Sequence, residues 1–285
     1  MPKISVLMPI YKTREQYLRE AIESILNQTF TDFEFLILDD CPEDSRKGIV
    51  MSYNDKRIKY MQNEQNLGIS VSRNKLIELA QGEYLAVVDH DDISLPERFA
   101  KEVQYLDSHP KVGVVSGQLY NIISKTKTQN PIESHYIKLA LMRVCAISHP
   151  ASMIRKSVLL DNNIRYEEEY TPSEDYALWC RLLSYTEFYN FPDVLLQYRD
   201  HKENTSHLQS DKMKKATTAI WALTENENSS LYKEFLLQAK QKLQIKLFGS
   251  IPIFSIVKQG NRVKYYLFEK IPLFSTKKVI KLKEK

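Results

Sequence analysis

Three carboxylates and an imidazole close an apolar run in "YLAVVDHDDISLPERF", Tyr84 to Phe99: they are Asp89, His90, Asp91 and Asp92. Carboxylates this close repel one another and resist leaving water unless something positive sits among them. A divalent cation held by Asp91 and bridging to a diphosphate would supply that charge. A solvated strand-to-helix turn would relieve it too, because acids favour a helix N-terminus.

The elements around this run say where it must lie. "ISVLMPIY", "FEFLILDD", "IKYMQNE" and "YLAVVDHDD" read as strands. Between them, "REQYLREAIESILNQ" puts Leu18, Ile22, Ile25 and Leu26 on one helical face, and Phe99, Val103 and Leu106 form a later stripe behind Pro96. Gly68 precedes a helix in "NLGISVSRNKLIELAQG", and Gly82 stands where a helix end wants a left-handed residue. Apolar strands alternating with amphipathic helices predict an α/β fold, a mostly parallel doubly wound sheet with helices on both faces. "KVGVVSGQLYNII" and "EFYNFPDVLLQYRDH" read as further strands, while "SHPASMIRKSVLLDNN" and "SEDYALWCRLLSY" each read as a loop entering a helix. In such a sheet ligands bind at the carboxyl ends of the strands. The polar residues at those ends are Pro9-Ile10-Tyr11, Asp39-Asp40 and Asp89 to Asp92. There is neither a Gly-x-Gly-x-x-Gly nor a Gly-x-x-x-x-Gly-Lys, so a dinucleotide fingerprint and a P-loop are both absent.

Composition narrows the classes further. The net charge of +4 is an average of two unlike parts. Ten of the 40 Lys/Arg but only two of the 36 acids lie from Gln244 onward, leaving 30 basic and 34 acidic residues before it. The main body is mildly acidic, which argues against nucleic acid as a partner. Cys41, Cys145 and Cys180 are odd in number and widely spaced, pointing to a reducing compartment and away from a zinc site or disulfide scaffold. "MPKISVLMPIYK" reads as a first strand and not as a signal peptide, and no run of 18 apolar residues predicts a membrane span. From about Ser210 the chain turns helical and Lys-rich, predicting a catalytic domain over 1–209 (halves about 1–110 and 111–209) and a helical, basic extension over 210–285. Within that extension "LFGSIPIF" at 247–254 recurs as "LFEKIPLF" at 267–274, with basic residues after each copy. Apolar wedges with basic flanks suit contact with a membrane surface, or packing on the catalytic domain.

Six stretches together resemble the inverting glycosyltransferases of family 2, whose fold is called GT-A. They are "SVLMPIYK", "ESILNQTFTDFEFLILDD", "NLGISVSRN", "GEYLAVVDHDD", "SEDYALWCRL" and "YRDH", which occur in that order and cover roughly residues 3–207. The resemblance implies a nucleotide-diphosphate sugar donor, UDP being expected, and a divalent metal, Mn²⁺ or Mg²⁺. It implies that Tyr11 packs on the base beside Pro9, that Asp39 accepts from the base's ring N–H, and that Arg73 helps hold the nucleotide. Asp89 would face the ribose or the metal, His90 would lie beside the donor, and Asp91 and His201 would ligate the metal. Asp175 would be the general base, with Glu174 as its rival and as the better exposed acid; His149 would line the acceptor pocket or belong to the core.

An inverting transfer needs those residue types, since one carboxylate takes the acceptor's proton while the far side stabilises a leaving diphosphate. Cys41-Pro42 replaces the family's usual Gly-Ser turn, and His90 stands where a small residue is common. The Gln-x-x-Arg-Trp of processive members is absent, so single-sugar addition in surface-polysaccharide or lipopolysaccharide assembly is expected. The acceptor would be a glycan or a lipid-linked saccharide, and the protein cytoplasmic, with peripheral contact on the inner face of the membrane through its tail. A nucleotidyltransferase shares this architecture but carries a Gly-rich phosphate loop where this chain reads "PIYKTREQY". A non-catalytic scaffold binding a nucleotide sugar at the membrane is the other alternative.

Overall fold

Seven consecutive buried residues make β1 (Ile4–Ile10), and they divide by parity. Ile4, Val6, Met8 and Ile10 enter one core and Leu7 the other, as the two-residue repeat of a strand dictates. α1 (Glu15–Leu26) covers the first face with Leu18, Ile22 and Ile25, each contributing about 1.5–3 kcal/mol by leaving water. β2 (Phe33–Asp39) repeats the alternation: Phe33, Phe35 and Ile37 join the core of α1, while Leu36 and Leu38 face the opposite one. A short α2 (Lys47–Met51) leads to the edge strand β3 (Ile58–Gln62), and α3 (Ile69–Leu79) returns the chain to β4 (Tyr84–Val87). These four strands are parallel in the order β3-β2-β1-β4. The strand order reverses at β1, which opens a crevice at the carboxyl ends of β1 and β4.

This computed structural model describes residues 1–201, 204–247, 254–259, 262–267 and 271–276, with side chains through 239 except at 205 and 206. After β4 come β5 (Ile93–Ser94), α4 (Arg98–Ser108), β6 (Val112–Asn121), β7 (Thr126–Lys127) and α5 (Ser134–Leu141). β8 (Met153–Arg155), α6 (Lys156–Asp161), α7 (Glu174–Arg181) and β9 (Glu187–Tyr198) complete the sheet and its cover. β8 runs antiparallel between β4 and β6, β9 lies parallel to β6, and β5 pairs antiparallel with β9. The expected α/β sheet with covering helices is therefore what the chain forms, curled beyond β4 by these antiparallel insertions. β8 falls in a stretch read from the sequence as a loop entering a helix, because three residues are too few to display a period.

A buried guanidinium ties the two halves together. Arg98 donates to the carbonyls of Val87 at 2.9 Å, Pro150 at 2.8 Å and Ser152 at 3.0 Å, with Glu102 as its counter-ion at 3.3 Å. It thus fixes the end of β4 against the segment entering β8. Gly82 does a different job from the one expected of it. α3 ends at Leu79, and Gly82 is not among the residues of positive φ; a Cβ there would instead stand 2.5 Å from the Ser5 backbone nitrogen. Gly82→Ala is therefore expected to cost about 1–3 kcal/mol, the usual range for overpacking. An unchanged urea midpoint would show that the backbones separate freely there.

The C-terminal helices start where the composition changes: α8 (Thr205–Leu208), α9 (Ser210–Glu227) and α10 (Ser229–Leu247). Ile220 and Phe235 enter the same core as Trp179 of α7. Arg143, just past α5, sits within 5.5 Å of the rings of Trp221, Tyr232 and Phe235 and bonds to Glu225. The extension expected to be helical throughout is not. β10 (Phe254–Gln259), β11 (Arg262–Leu267) and β12 (Ile271–Thr276) form an antiparallel three-stranded sheet, in keeping with alternating stretches such as "RVKYYL". Residues 248–253 and 268–270 of the LFxxIPxF repeat lie outside the described residues, as do the side chains of the rest of it. Among the described residues, no helix is long and apolar enough to cross a membrane.

Candidate active site

Beyond Val87 the chain carries its acids over the crevice. The Asp89 side chain is 32 % exposed, and Asp92 is only 3 % exposed. Burial raises the Asp89 carboxyl above its ordinary range, opposed by Arg73 and reinforced by Asp91. Burial, then the charges of Asp91 and Asp89, push Asp92 well above the usual carboxylate value. The repulsion foreseen from the spacing is thus present in the fold.

Arg73 of α3 is the positive group that reaches Asp89. Its guanidinium donates to Glu174 at 2.6 Å and to Asp89 at 3.3 Å, and lies 5.4 Å from the ring of Tyr166. Glu174 and Asp175 open α7, 101 residues from Arg73 in the chain. Neighbouring bonds hold the two helices in this relation: Ser70 to Thr171 at 2.8 Å, and Asn74 to the Tyr166 backbone at 2.8 and 2.9 Å. One side chain therefore spans the strand-end acids and the acid pair of α7.

The two members of that pair differ. Glu174 is 6 % exposed and committed to Arg73, whereas Asp175 is half-buried and meets only the backbone N–H of Tyr176 at 2.7 Å. The expectation that Glu174 is the better exposed acid is reversed, because Arg73 draws it inward. Burial, then the charge of Glu174, push Asp175 up to about 7. A carboxylate of that pKa accepts a proton readily near neutrality.

On the other flank, His201 Nε2 lies 2.9 Å from Asp91 Oδ2, across 110 residues of chain. Its ring packs 5.6 Å from that of Tyr17 on α1. No three His, Cys, Asp or Glu side chains among the described residues converge as a complete cation shell. Asp91 and His201 nonetheless offer an oxygen and a nitrogen donor side by side, with half-open Asp89 on the same loop. That set fits a hard cation that brings its remaining ligands with it as phosphate and water.

At the end of β1, Pro9 is buried and Tyr11 is exposed, with Lys12 Nζ 5.1 Å from the Tyr11 ring. Asp39 is fully buried. Its carboxylate accepts from the backbone N–H groups of Cys41 at 3.1 Å and Arg46 at 2.7 Å, and from the Tyr60 hydroxyl at 2.9 Å. The rim expected from the strand ends is thus assembled from β1, β2, β4, α3, α7 and the segment after β9. The family model for glycosyl transferase family 2 matches residues 5–162, more than half of the chain and the part that carries the strand ends and α3 of this rim. This chain belongs to glycosyltransferase family 2.

Relatives in the family share most of its length. An uncharacterized glycosyltransferase of Methanocaldococcus jannaschii is 35% identical over 208 residues, covering 70% of this chain and 71% of that one. Another, from Haemophilus influenzae, is 28% identical over 285 residues, covering 94% and 85%. Among solved structures, S. aureus TarS in complex with UDP-GlcNAc superposes with a TM-score of 0.67 at 24% identity, over 82% of this chain and 71% of that one. Mannosyltransferase PcManGT from Pyrobaculum calidifontis, in complex with GDP-Man and Mn²⁺, gives 0.55 at 14% identity, over 88% and 77%. These neighbours bear out the GT-A fold. Membership makes the protein a glycosyltransferase and sets the nucleotidyltransferase alternative aside.

Within this family 2 enzyme His149 takes the second of the two places read for it, and other residues take roles beyond those the sequence suggested. His149 is 4 % exposed, bonded through Nε2 to the Tyr166 hydroxyl at 2.8 Å, and held neutral by burial with Arg73 and Arg98 nearby. It belongs to the core behind Arg73 and not to an open acceptor pocket. Asp40 accepts from Asn63 and from the backbone of Leu67 and Gly68, at 2.7 to 2.9 Å, and so shapes the turn into α3, where Gly68 takes φ +86°. The sequence assigns Tyr166 and Arg199 no role of their own, and Asp92 none beyond its place in the acidic cluster. Their partners lie far away in the chain, and only the "DD" repeat and the position of Arg199 beside His201 could have drawn attention to them.

Proposed function

We propose that this family 2 glycosyltransferase moves a single sugar from a UDP-linked donor to a glycan or lipid-linked acceptor, inverting the anomeric centre with the help of Mn²⁺ or Mg²⁺. The Arg73 fork carries the reading: one guanidinium within hydrogen-bond reach of Asp89 and Glu174 ties base-side and donor-side acids to one rim. The UDP-GlcNAc complex of TarS and the GDP-Man and Mn²⁺ complex of PcManGT favour a nucleotide-sugar donor and a divalent cation in this fold.

In this reading Tyr11 stacks on the base beside Pro9. Asp39, with three of its about four acceptor sites filled and no surface open before the donor binds, receives the ring N–H once its cover shifts. Asp91 and His201 would hold the cation, with Asp89 facing it or the ribose and His90 beside the donor. The bound cation supplies charge stabilisation to the leaving diphosphate. Arg73 adds a fixed positive charge to that side and keeps Glu174 away from the reacting atoms. Asp175 takes the acceptor hydroxyl's proton as the new C–O bond forms, while the bond from the anomeric carbon to the diphosphate breaks and its electron pair leaves with the phosphate oxygen. Asp91→Asn is expected to lower Mn²⁺-dependent turnover of UDP-sugars about 10²–10³-fold, several kcal/mol of charge stabilisation. Full turnover in that variant would remove the cation from Asp91.

Surface-polysaccharide or lipopolysaccharide assembly is the proposed setting, with the basic residues after Gln244 meeting anionic headgroups from the cytoplasmic side. The full chain should then sediment with vesicles containing anionic lipid and stay in solution with neutral ones. Equal partition between the two would end that part of the proposal.

A further inference from the structure

The third acid of the strand-end cluster, Asp92, is tied to the chain after β9 through one oxygen, while its buried Oδ2 has no hydrogen-bond partner among the described residues. It is buried, and its Oδ1 accepts the backbone N–H of Arg199 at 2.8 Å, a bond across 107 residues. That bond continues the short β5–β9 ladder, in which Ile93 pairs with Gln197 and Ser94 with Leu196. Arg199 answers from its own side. Its Nε donates to the main-chain oxygen of Asp91 at 3.0 Å, its guanidinium pairs with Glu20, and the same group lies 4.2 Å from the ring of Tyr17. Two residues on, His201 packs against Tyr17 and reaches Asp91 Oδ2.

We propose that Asp92 and Arg199 form a latch that positions His201 against Asp91, so that Asp92 acts on donor binding through His201 and not by touching the cation. The inference rests on the reading of Asp91 and His201 as the cation-holding pair. The chain after β9 is joined to the acid loop by one side chain from each partner, Asp92 to the Arg199 backbone and Arg199 to the Asp91 backbone. Both bonds end on main-chain atoms, so they fix the path of the chain whatever the side chains of residues 90 and 200 happen to be.

Conservative and non-conservative variants separate the latch from a ligand. Asn keeps the carbonyl oxygen that receives the Arg199 N–H but loses the charge that a cation would seek. Calorimetric titration with UDP in the presence of Mn²⁺ should find Asp92→Asn within about threefold of the parent. Asp92→Ala and His201→Ala should each weaken binding about 10–100-fold, the usual effect of losing a group that orients a metal ligand. The double Ala variant should be no weaker than either single one. Equal losses in Asp92→Asn and Asp92→Ala, or losses that multiply in the double variant, would make Asp92 a ligand and overturn the latch.

Amide exchange of the ligand-free chain gives a readout that needs no donor. Asp92→Ala should speed exchange at the Arg199 amide at least about tenfold, with Asp92→Asn unchanged. No acceleration in Asp92→Ala would overturn the latch. If the parent chain failed to bind UDP with Mn²⁺ while the exchange result held, the donor reading would fall and the latch would stand.

Discussion

Asp175→Asn is expected to lower kcat for sugar transfer about 10²–10⁴-fold, the range that a positioned general base supplies, and to leave UDP affinity nearly unchanged. The amide cannot take the acceptor's proton, yet it fills the same space and keeps the bond to the Tyr176 N–H. The pH profile of the parent enzyme carries the same information. Burial and Glu174 push Asp175 up to about 7, and the base works only when ionised, so kcat should rise tenfold per unit below that value and level off above it. A profile flat from pH 5.5 to 8, or an Asn variant at parental speed, would take the base role from Asp175.

Arg73→Met should be the most damaging single change to both stability and function. Its removal strands Glu174, 6 % exposed, without a counter-charge, and breaking one side of a buried ion pair costs about 3–5 kcal/mol. Urea unfolding measures that loss. Turnover should fall with it, since nothing then links Asp89 to α7. The double variant Arg73→Met/Glu174→Leu distinguishes the two effects. Replacing both charges with apolar groups should recover much of the stability, yet sugar transfer should stay low because the positive charge beside the diphosphate is gone. Recovery of both would reduce Arg73 to a structural residue.

The first 110 residues are legible because their signals are local. Apolar runs of β1, β2 and β4 end in Pro9-Ile10-Tyr11, Asp39-Asp40 and Asp89 to Asp92, and each end lies on one rim by the rule for open parallel sheets. The resemblance added Asp175 and His201, and the structure brings both to that rim. What stayed hidden depends on pairings between distant residues. Nothing near Arg73 indicates that Glu174 will turn inward to meet it, so the more exposed acid was misassigned. β8 is three residues long, and its strand character comes from its neighbours β4 and β6 more than from its own sequence. Ile220 and Phe235 sit in a Lys-rich stretch that reads as a separate extension, yet both enter the core of the catalytic body.

Arg98 and Arg199 hold the carbonyls of Val87 and Asp91, and no side chain between those two carbonyls takes part. The loop's course is therefore held through its backbone, and the His90 side chain has no part in it. His90 is half-buried, its Nδ1 4.0 Å from Asp91 Oδ1 and without a hydrogen-bond partner among the described residues. Replacing His90 should therefore leave the frame around the acids standing.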